Sequence, residues 1–516
     1  MVDDIAKAVA MLFVRMIKPT IAVLRWTYLW IVFGAVAILG VLPWAWLQAL
    51  VMLLALVLWV LLFLQRIIRL ITRNPSFSIF RRAAALRKKE KRAIDPEPPE
   101  KLRCKEPAGM FFGKKGRDFI CKPQTIDGAA LVIGGAGSGK SSCIAIKTIR
   151  HWGDTGAILA IDIKGELAEK GLIDPARRER TKIFNPSVPS SYGFDPFYLA
   201  KQGNNLVQDV REIAIALIEE PPQTKEPFWI RSAQNIFAGA MLYGIEKGVS
   251  FTGVVDWLQH TDPQEAVTEI RDCGSDRAAA FVGQYCALKT ETLGSIWSEM
   301  MNHLLVFGID DDVRRALDNP KTITPVDLEN GCNIFLQLEE NKLEQWRSLL
   351  TLIINQFLKA FERRPEKQAP ILMLLDEAPR LGKLRLVEAL STLRSRQIHI
   401  MTFVQSVAQL DLIYGQDARK VITDNCAYKA ILGASDADTR EWLSKLVGTY
   451  DRLKTSRSHN QQMERLGSTL GVSQSEEEKR IIKPEAFGSM TDIVLIHPFT
   501  PGFCRIEKAP YYLDKN

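Results

Sequence analysis

Hydrophobic and polar positions follow three rhythms along this chain. Trp26 to Gln65 is an unbroken run of 40 residues without Asp, Glu, Lys or Arg. From Ala129 onward, short apolar runs alternate with stretches of helical periodicity, which predicts strands covered by helices. The runs are "AALVIG" (from Ala129), "GAILAIDIKGE" (from Gly156), "APILMLLDEAPRLG" (from Ala369), "IHIMTFVQS" (from Ile398), "YKAILGA" (from Tyr428) and "DIVLIHP" (from Asp492). Strands this apolar, separated by helical segments, predict a largely parallel α/β sheet buried on both faces. Between about Asn204 and Asp318 the strand rhythm disappears. "FWIRSAQNIFAGAMLYGIEKG" and "LGSIWSEMMNHLLVFG" place apolar residues at helical spacing there, predicting an inserted all-α subdomain with Phe228, Trp229 and Trp297 in its core.

The uncharged run is too long for one span: as a single helix it would measure about 60 Å, roughly twice the hydrocarbon thickness. Two spans, about 26–42 and 47–65, joined at "GVLPWAW" fit better, with Pro43 breaking the helix and Trp44 and Trp46 suited to an interfacial belt. The run is too long and starts too late for a cleaved signal peptide. A buried core hairpin is the alternative, but few soluble helices are apolar on every side. Arg15, Lys18 and Arg25 precede the first span and Arg66, Arg69 and Arg73 follow the second, so both ends are expected on the cytoplasmic side. A basic stretch, Arg81 to Arg92, reads as a solvated helix reinforcing that topology or as a contact for lipid heads or nucleic-acid phosphates. "DPEPPE" (Asp95 to Glu100) reads as a linker. The expected organisation is a membrane hairpin over 1–73, a basic linker over 74–104, a nucleotide-binding domain over 105–203 and 319–516, and the helical insert over 204–318.

At 516 residues, two or three structural units are expected. The net charge of +8 is modest for this length. Eight cysteines are scattered without a C-x-x-C pair, and six histidines show no H-x-x-x-H spacing. That argues against a zinc site or a disulfide scaffold, and for a reducing compartment.

Candidate chemistry begins after the first apolar run. Gly134, Gly135, Ala136, Gly137, Ser138, Gly139, Lys140 and Ser141 satisfy G-x-x-x-x-G-K-[ST], followed by Ser142 and a helical stretch. Such a loop turns backbone N–H groups toward phosphates at a helix N-terminus; its Lys reaches the β- and γ-phosphates and its Ser binds Mg2+. Asp376 and Glu377 close a later apolar strand, where Asp376 is placed to hold Mg2+ and Glu377 to polarise an attacking water. Gln405 ends another strand, where an amide can sense the γ-phosphate or cap the chain. Arg394 and Arg396 are candidates for stabilising charge in the transition state, or ordinary surface arginines.

In order and spacing, "GGAGSGKSS", "AIDIKGEL", "PFWIRSAQNIF", "LLDEAPRLGKL", "FVQSVAQLDLIYG" and the closing "RIIKPEAFGSMTDIVLIHPFTPGFCRIEKAPYYLD", behind a membrane hairpin, resemble the type IV secretion coupling proteins of the TraG/TraD class. The resemblance implies a RecA-like P-loop ATPase using ATP and Mg2+ and assembling as a homo-hexamer around a channel at the bacterial inner membrane, the bulk of the chain cytoplasmic. It implies that Lys140 and Ser141 serve the phosphate loop, Asp376 and Glu377 metal and water, and Gln405 the third motif. Arg394 stands where members tend to have a basic pocket residue. Implied partners are the inner-membrane components of the secretion machine, a relaxase–DNA complex, DNA contacted without regard to sequence and, in some members, effector proteins. Ala378 and Arg380 differ from the residue types usual after the acidic pair. Gly128 replaces a basic residue that acts across subunits in some members. No long acidic C-terminal tail is seen.

Two other readings compete. One is a docking receptor whose nucleotide assembles a ring without moving anything. The other is a chromosome-segregating pump of the FtsK kind, which the short stretch after Lys483 disfavours because a winged-helix unit would not fit. No LSGGQ-like signature supports an ABC exporter.

Overall fold

The computed structural model describes residues 44–73, 93–153, 156–203, 205–221, 224–460 and 469–514. Contacts divide the chain into two units, Met1–Lys89 and Glu90–Asn516.

In the first unit a helix runs from Trp44 to Arg73, beginning just after Pro43. Within it, Ala49–Ile67 is long and apolar enough to cross a membrane, and it is the one such helix among the described residues. Its large side chains are bare on all sides: Met52 is 74 % exposed, Trp59 63 % and Leu53 58 %. This matches no soluble amphipathic helix, which hides one stripe. The span expected at 26–42 and the basic stretch Arg81 to Arg92 lie outside the described residues.

The second unit is built on a 12-stranded sheet. Its strands are β1 (Arg103–Cys104), β2 (Met110–Lys115), β3 (Asp118–Lys122), β4 (Ala130–Ile133), β5 (Ala157–Ile161), β6 (Thr181–Phe184), β7 (Asn333–Leu336), β8 (Ile371–Leu375), β9 (Ile398–Val404), β10 (Tyr428–Ile431), β13 (Asp492–Ile496) and β14 (Phe503–Glu507), with β11 (Thr449–Asn460) and β12 (Thr469–Arg480) forming a separate two-stranded hairpin. The sheet order is β1-β3-β2-β14-β13-β10-β4-β9-β8-β5-β7-β6. From β10 to β6 every neighbouring pair is parallel. From β13 to β1 every pair is antiparallel.

The parallel strands are buried on both faces, which is why they read as continuous apolar runs. In β5, Ala157, Leu159 and Ile161 face one core and Ile158 and Ala160 the other. The second core is closed by Ile144, Ile146 and Ile149 from the segment after β4. The first takes Leu349, Ile353 and Phe357 from the helix Arg347–Glu362. "DIVLIHP", expected within the parallel set, forms β13 and runs antiparallel to β10. The antiparallel edge leaves no mark in the apolar pattern: β2 and β3 carry Lys and Asp at their ends and pair through the tight turn at Gly116, so neither shows a long apolar run.

"DPEPPE" is docked rather than free. Pro96 and Pro98 are buried, Lys115 pairs with Asp95 at 3.0 Å, and Arg103 Nε donates to the Pro98 carbonyl at 2.9 Å.

Between β6 and β7 the described residues from Leu206 to Leu317 are helical, without a strand. Local chemistry starts these helices. Ser250 accepts from Gly253 N, Asp262 from Gln264 N and Glu265 N with Pro263 at the first position, Ser275 from Ala278 N, and Asp310 from Asp312 N and Val313 N. The helix Phe228–Glu246 packs at their centre. A Cβ on Gly244 would lie 2.2 Å from Val254 Cγ2, so only glycine permits that approach. Trp297 is buried, but Phe228 is half exposed; it opens its helix at the surface, so the expectation of a core role fails there.

Candidate nucleotide site

The site lies where β4, β9 and β8 end side by side. Strands in a sheet are spaced about 4.8 Å apart, so the ends of β4 and β8 are about 10 Å apart across β9. A phosphate chain and its counter-ion span such a gap. Gly134 N donates to the Val404 carbonyl at 3.1 Å, anchoring the loop to the end of β9.

The loop then turns through Gly137 at φ 71° and Gly139 at φ 98°, a region closed to most side chains. A π-helical turn, Lys140–Ala145, leads into the helix Ile146–His151. Lys140 Nζ donates to the carbonyls of Gly134 at 2.6 Å and Gly135 at 3.2 Å. Burial lowers the Lys140 pKa, while the nearby charges of Asp376 and Glu377 oppose that shift. Ser141 and Ser142, both half-buried, sit in the same turn. The Ser138 hydroxyl is buried with no hydrogen-bond partner among the described residues. A cradle of turned glycines, a buried ammonium and an orphaned hydroxyl fits a phosphate group.

The acidic pair follows β8. Burial, and then the neighbouring Glu377 charge, pushes the Asp376 carboxyl up to about 6. A buried carboxylate of this kind is a good ligand for a divalent cation, whose charge reverses the desolvation cost. Glu377 adopts φ 49° and ψ 44°, left-handed and uncommon for a glutamate. Its Oε1 accepts from Gln405 Nε2 at 3.2 Å and its Oε2 from Arg380 at 2.9 Å. The fold thus brings Lys140, Asp376, Glu377 and Gln405 into one cluster.

Arg394 is not part of it. It precedes β9 and pairs with Asp127, which precedes β4, at 3.7 Å. Both therefore lie beyond the opposite ends of the strands, one β9 length away, about 20 Å. The chain's geometry thus places Arg394 away from this pocket. Arg396 lies in the same turn, with Arg394, before β9.

Sequence reasoning missed two features. Arg380 bridges Glu377 and Glu340, the latter at 3.1 Å; its position three residues after Glu377 was the available signal. Asp162, at the end of β5, accepts from Leu167 N, Ala168 N and Gln337 Nε2, and so caps the helix Glu166–Gly171.

Sheet topology and loop together define an α/β fold of the RecA-like P-loop class. The chain belongs to the family "Type IV secretory system Conjugative DNA transfer", whose model matches residues 79–516. It is similar to Protein VirD4 of Agrobacterium fabrum, 25 % identical over 404 residues, covering 75 % of this chain and 59 % of the relative. Conjugal transfer protein TraG of the same organism is 24 % identical over 347 residues, covering 64 % and 52 %. The chain thus spans little more than half the length of these curated relatives. Among solved structures it resembles the plasmid coupling protein TrwB in complex with a non-hydrolysable ATP analogue, at TM-score 0.62 and 17 % identity, covering 79 % of this chain and 90 % of that one. TrwB in complex with ADP and Mg2+ matches at TM-score 0.56 and 17 % identity, covering 74 % and 85 %.

Proposed function

We propose that this protein is a membrane-anchored coupling ATPase of a type IV secretion system, binding ATP with Mg2+ and using its turnover to drive or gate transfer. The observation that carries this reading is the meeting of the phosphate loop with Asp376, Glu377 and Gln405 at the ends of three adjacent parallel strands. In it, Lys140 and the loop amides hold the phosphates, Ser141 and Asp376 hold Mg2+, Glu377 activates water and Gln405 orients the Glu377 carboxylate. The Mg2+ would polarise the phosphate oxygens and neutralise developing charge. Family membership and the likeness to TrwB in complex with an ATP analogue and with ADP and Mg2+ support nucleotide as the ligand.

The same proposal divides the chain into an anchor over 1–73, a linker over 74–104, a nucleotide domain over 105–203 and 319–516, and a helical insert over 204–318. The anchor is a two-span hairpin in the bacterial inner membrane, with Ala49–Ile67 in the second span and the bulk of the chain cytoplasmic. The partners are DNA held without sequence preference, a relaxase–DNA complex or effector proteins, and inner-membrane components of the secretion machine. Subunits form a homo-hexamer around a channel.

A second reading, a docking receptor without motor activity, draws on one observation: Glu377 is held on both oxygens by Arg380 and Gln405, leaving it engaged rather than free to take a proton. Steady-state ATP hydrolysis by the purified full chain, with and without DNA, separates the two. Turnover stimulated by DNA supports the motor. Binding without turnover supports the receptor.

A further inference from the structure

Lys508 directly follows β14, 370 residues beyond Ser138. Its Nζ donates to three backbone carbonyls, Ser138 at 3.0 Å, Leu432 at 3.3 Å and Met490 at 3.2 Å. An ammonium has three donors and no acceptor, so these carbonyls engage all of them. The acceptors belong to different elements. Ser138 lies in the phosphate loop, Leu432 follows β10, and Met490 lies just ahead of β13. One side chain therefore ties the loop to the ends of three neighbouring strands, β14, β13 and β10.

Which carbonyl it takes in the loop matters. The Ser138 C=O and the Gly139 N–H belong to one peptide unit, and across a trans peptide these groups point in opposite directions. Holding that carbonyl on Lys508 therefore sets where the Gly139 N–H is aimed. Gly139, at φ 98°, has the conformational freedom to let this peptide rotate if nothing holds it. The residues after Lys508 reinforce the grip. Asp514 pairs with Lys147, which is buried on the helix that follows the loop, and Arg150 of that helix lies over the Tyr511 ring at 4.9 Å.

Resting on the nucleotide reading, we propose that Lys508 is a positioning residue for phosphate binding: it orients the Ser138–Gly139 peptide so that the Gly139 N–H faces the nucleotide phosphates. It touches no phosphate itself.

The test is ADP binding by the full-length chain in detergent, measured by calorimetry with Mg2+, alongside thermal unfolding with and without ADP. Lys508→Met keeps most of the length and removes the donors. It is expected to weaken ADP binding at least tenfold and abolish most of the ADP-induced rise in unfolding temperature, read against its own ADP-free midpoint, which the loss of three carbonyl partners also lowers. Lys508→Arg, which can still reach the Ser138 carbonyl, should recover most of the affinity. Lys105→Met, changing an exposed lysine paired with Asp118, should bind as wild type does. A folded Lys508→Met with wild-type ADP affinity overturns the proposal. So does loss of affinity that Lys508→Arg fails to restore, since that marks a packing role. Should Lys508→Met not fold, Lys508→Gln, one atom shorter than lysine but still polar, is judged by the same affinity criterion. Wild-type chain that binds no ADP overturns the nucleotide reading, and this inference with it.

Discussion

Glu377 holds a left-handed backbone that costs a non-glycine residue about 1–3 kcal/mol. Packing keeps it there: Ala378, Pro379 and Leu381 beside it are buried, and Thr351 Oγ1 donates to the Leu381 carbonyl at 2.6 Å. The strain aims the carboxylate at Gln405 and Arg380 instead of along the strand. Lys140→Ala should lose nucleotide affinity without unfolding the chain, because it removes the proposed phosphate contact and two hydrogen bonds confined to the loop. Glu377→Gln should bind ATP as wild type does and lose turnover by about 100-fold or more. Wild-type hydrolysis by purified Glu377→Gln would remove the general-base role. Arg380→Ala should raise basal turnover, since it frees one Glu377 oxygen; an unchanged or lower rate would mean that the arginine supports catalysis instead.

A second residue-scale feature lies far from that site. Lys122 is buried, with Nζ against the Ile126 carbonyl at 2.6 Å and His399 Nδ1 at 2.8 Å. Burial pulls the Lys122 pKa down to about 7 and that of His399 to about 3. Both folded values lie below the unfolded ones, so the unfolded chain binds more protons between them and stability rises with pH there. For Lys122 the window runs from about pH 7 to 10.5, with a slope of about 1.4 kcal/mol per pH unit. Urea unfolding between pH 7 and 9.5 should show stability rising with pH in wild type, and rising less in Lys122→Met. Equal slopes in the two proteins would show that Lys122 stays charged in the fold.

Among the described elements, the helix Trp44–Arg73 is singular in exposing apolar side chains on every face. Water gives such a surface no stability of its own; lipid does. Arg66, Arg69 and Arg73 follow its apolar part and favour a cytoplasmic C-terminal end. A reporter fused near Pro43 should therefore report the extracytoplasmic side and one fused after Lys101 the cytoplasmic side. The opposite pattern would reverse the orientation. Deleting residues 1–73 should yield a soluble chain that binds nucleotide but assembles poorly, because the proposed anchor would raise the local subunit concentration.

At the scale of the whole molecule, the proposed motor has to accept any sequence it moves, so its DNA contacts are with phosphates. Binding should depend weakly on sequence and fall steeply with salt, in proportion to the phosphates neutralised. Changing Lys88, Lys89 and Lys91 together to Gln tests whether the basic stretch is part of that contact. If it serves lipid heads, which its place close behind the proposed second span favours, liposome binding weakens and the salt slope for DNA stays the same. A slope flattened by up to about three contacts, with liposome affinity unchanged, would assign the stretch to DNA.

The phosphate loop, the acidic pair and the six apolar strands could be read directly from the sequence, because each signal is contained within a short segment. A glycine turn needs its glycines next to one another, and a doubly buried strand needs its apolar residues in a row. The helical character of 206–317 was legible for the same reason: its periodicity and its Ser and Asp caps are local. What the tertiary structure alone decided involves residues distant in the chain. The order β4-β9-β8 places Gln405 against Glu377. The same parallel run carries Arg394 to the far end, because a residue before a strand and one after it are separated by the strand's length. β1, β2 and β3 exist because β14 offers them an edge, not because their own residues demand a strand. Lys508 meets Ser138 only after β13 and β14 have turned back along β10. No spacing in the sequence encodes such a contact, since it depends on the closure of the whole sheet.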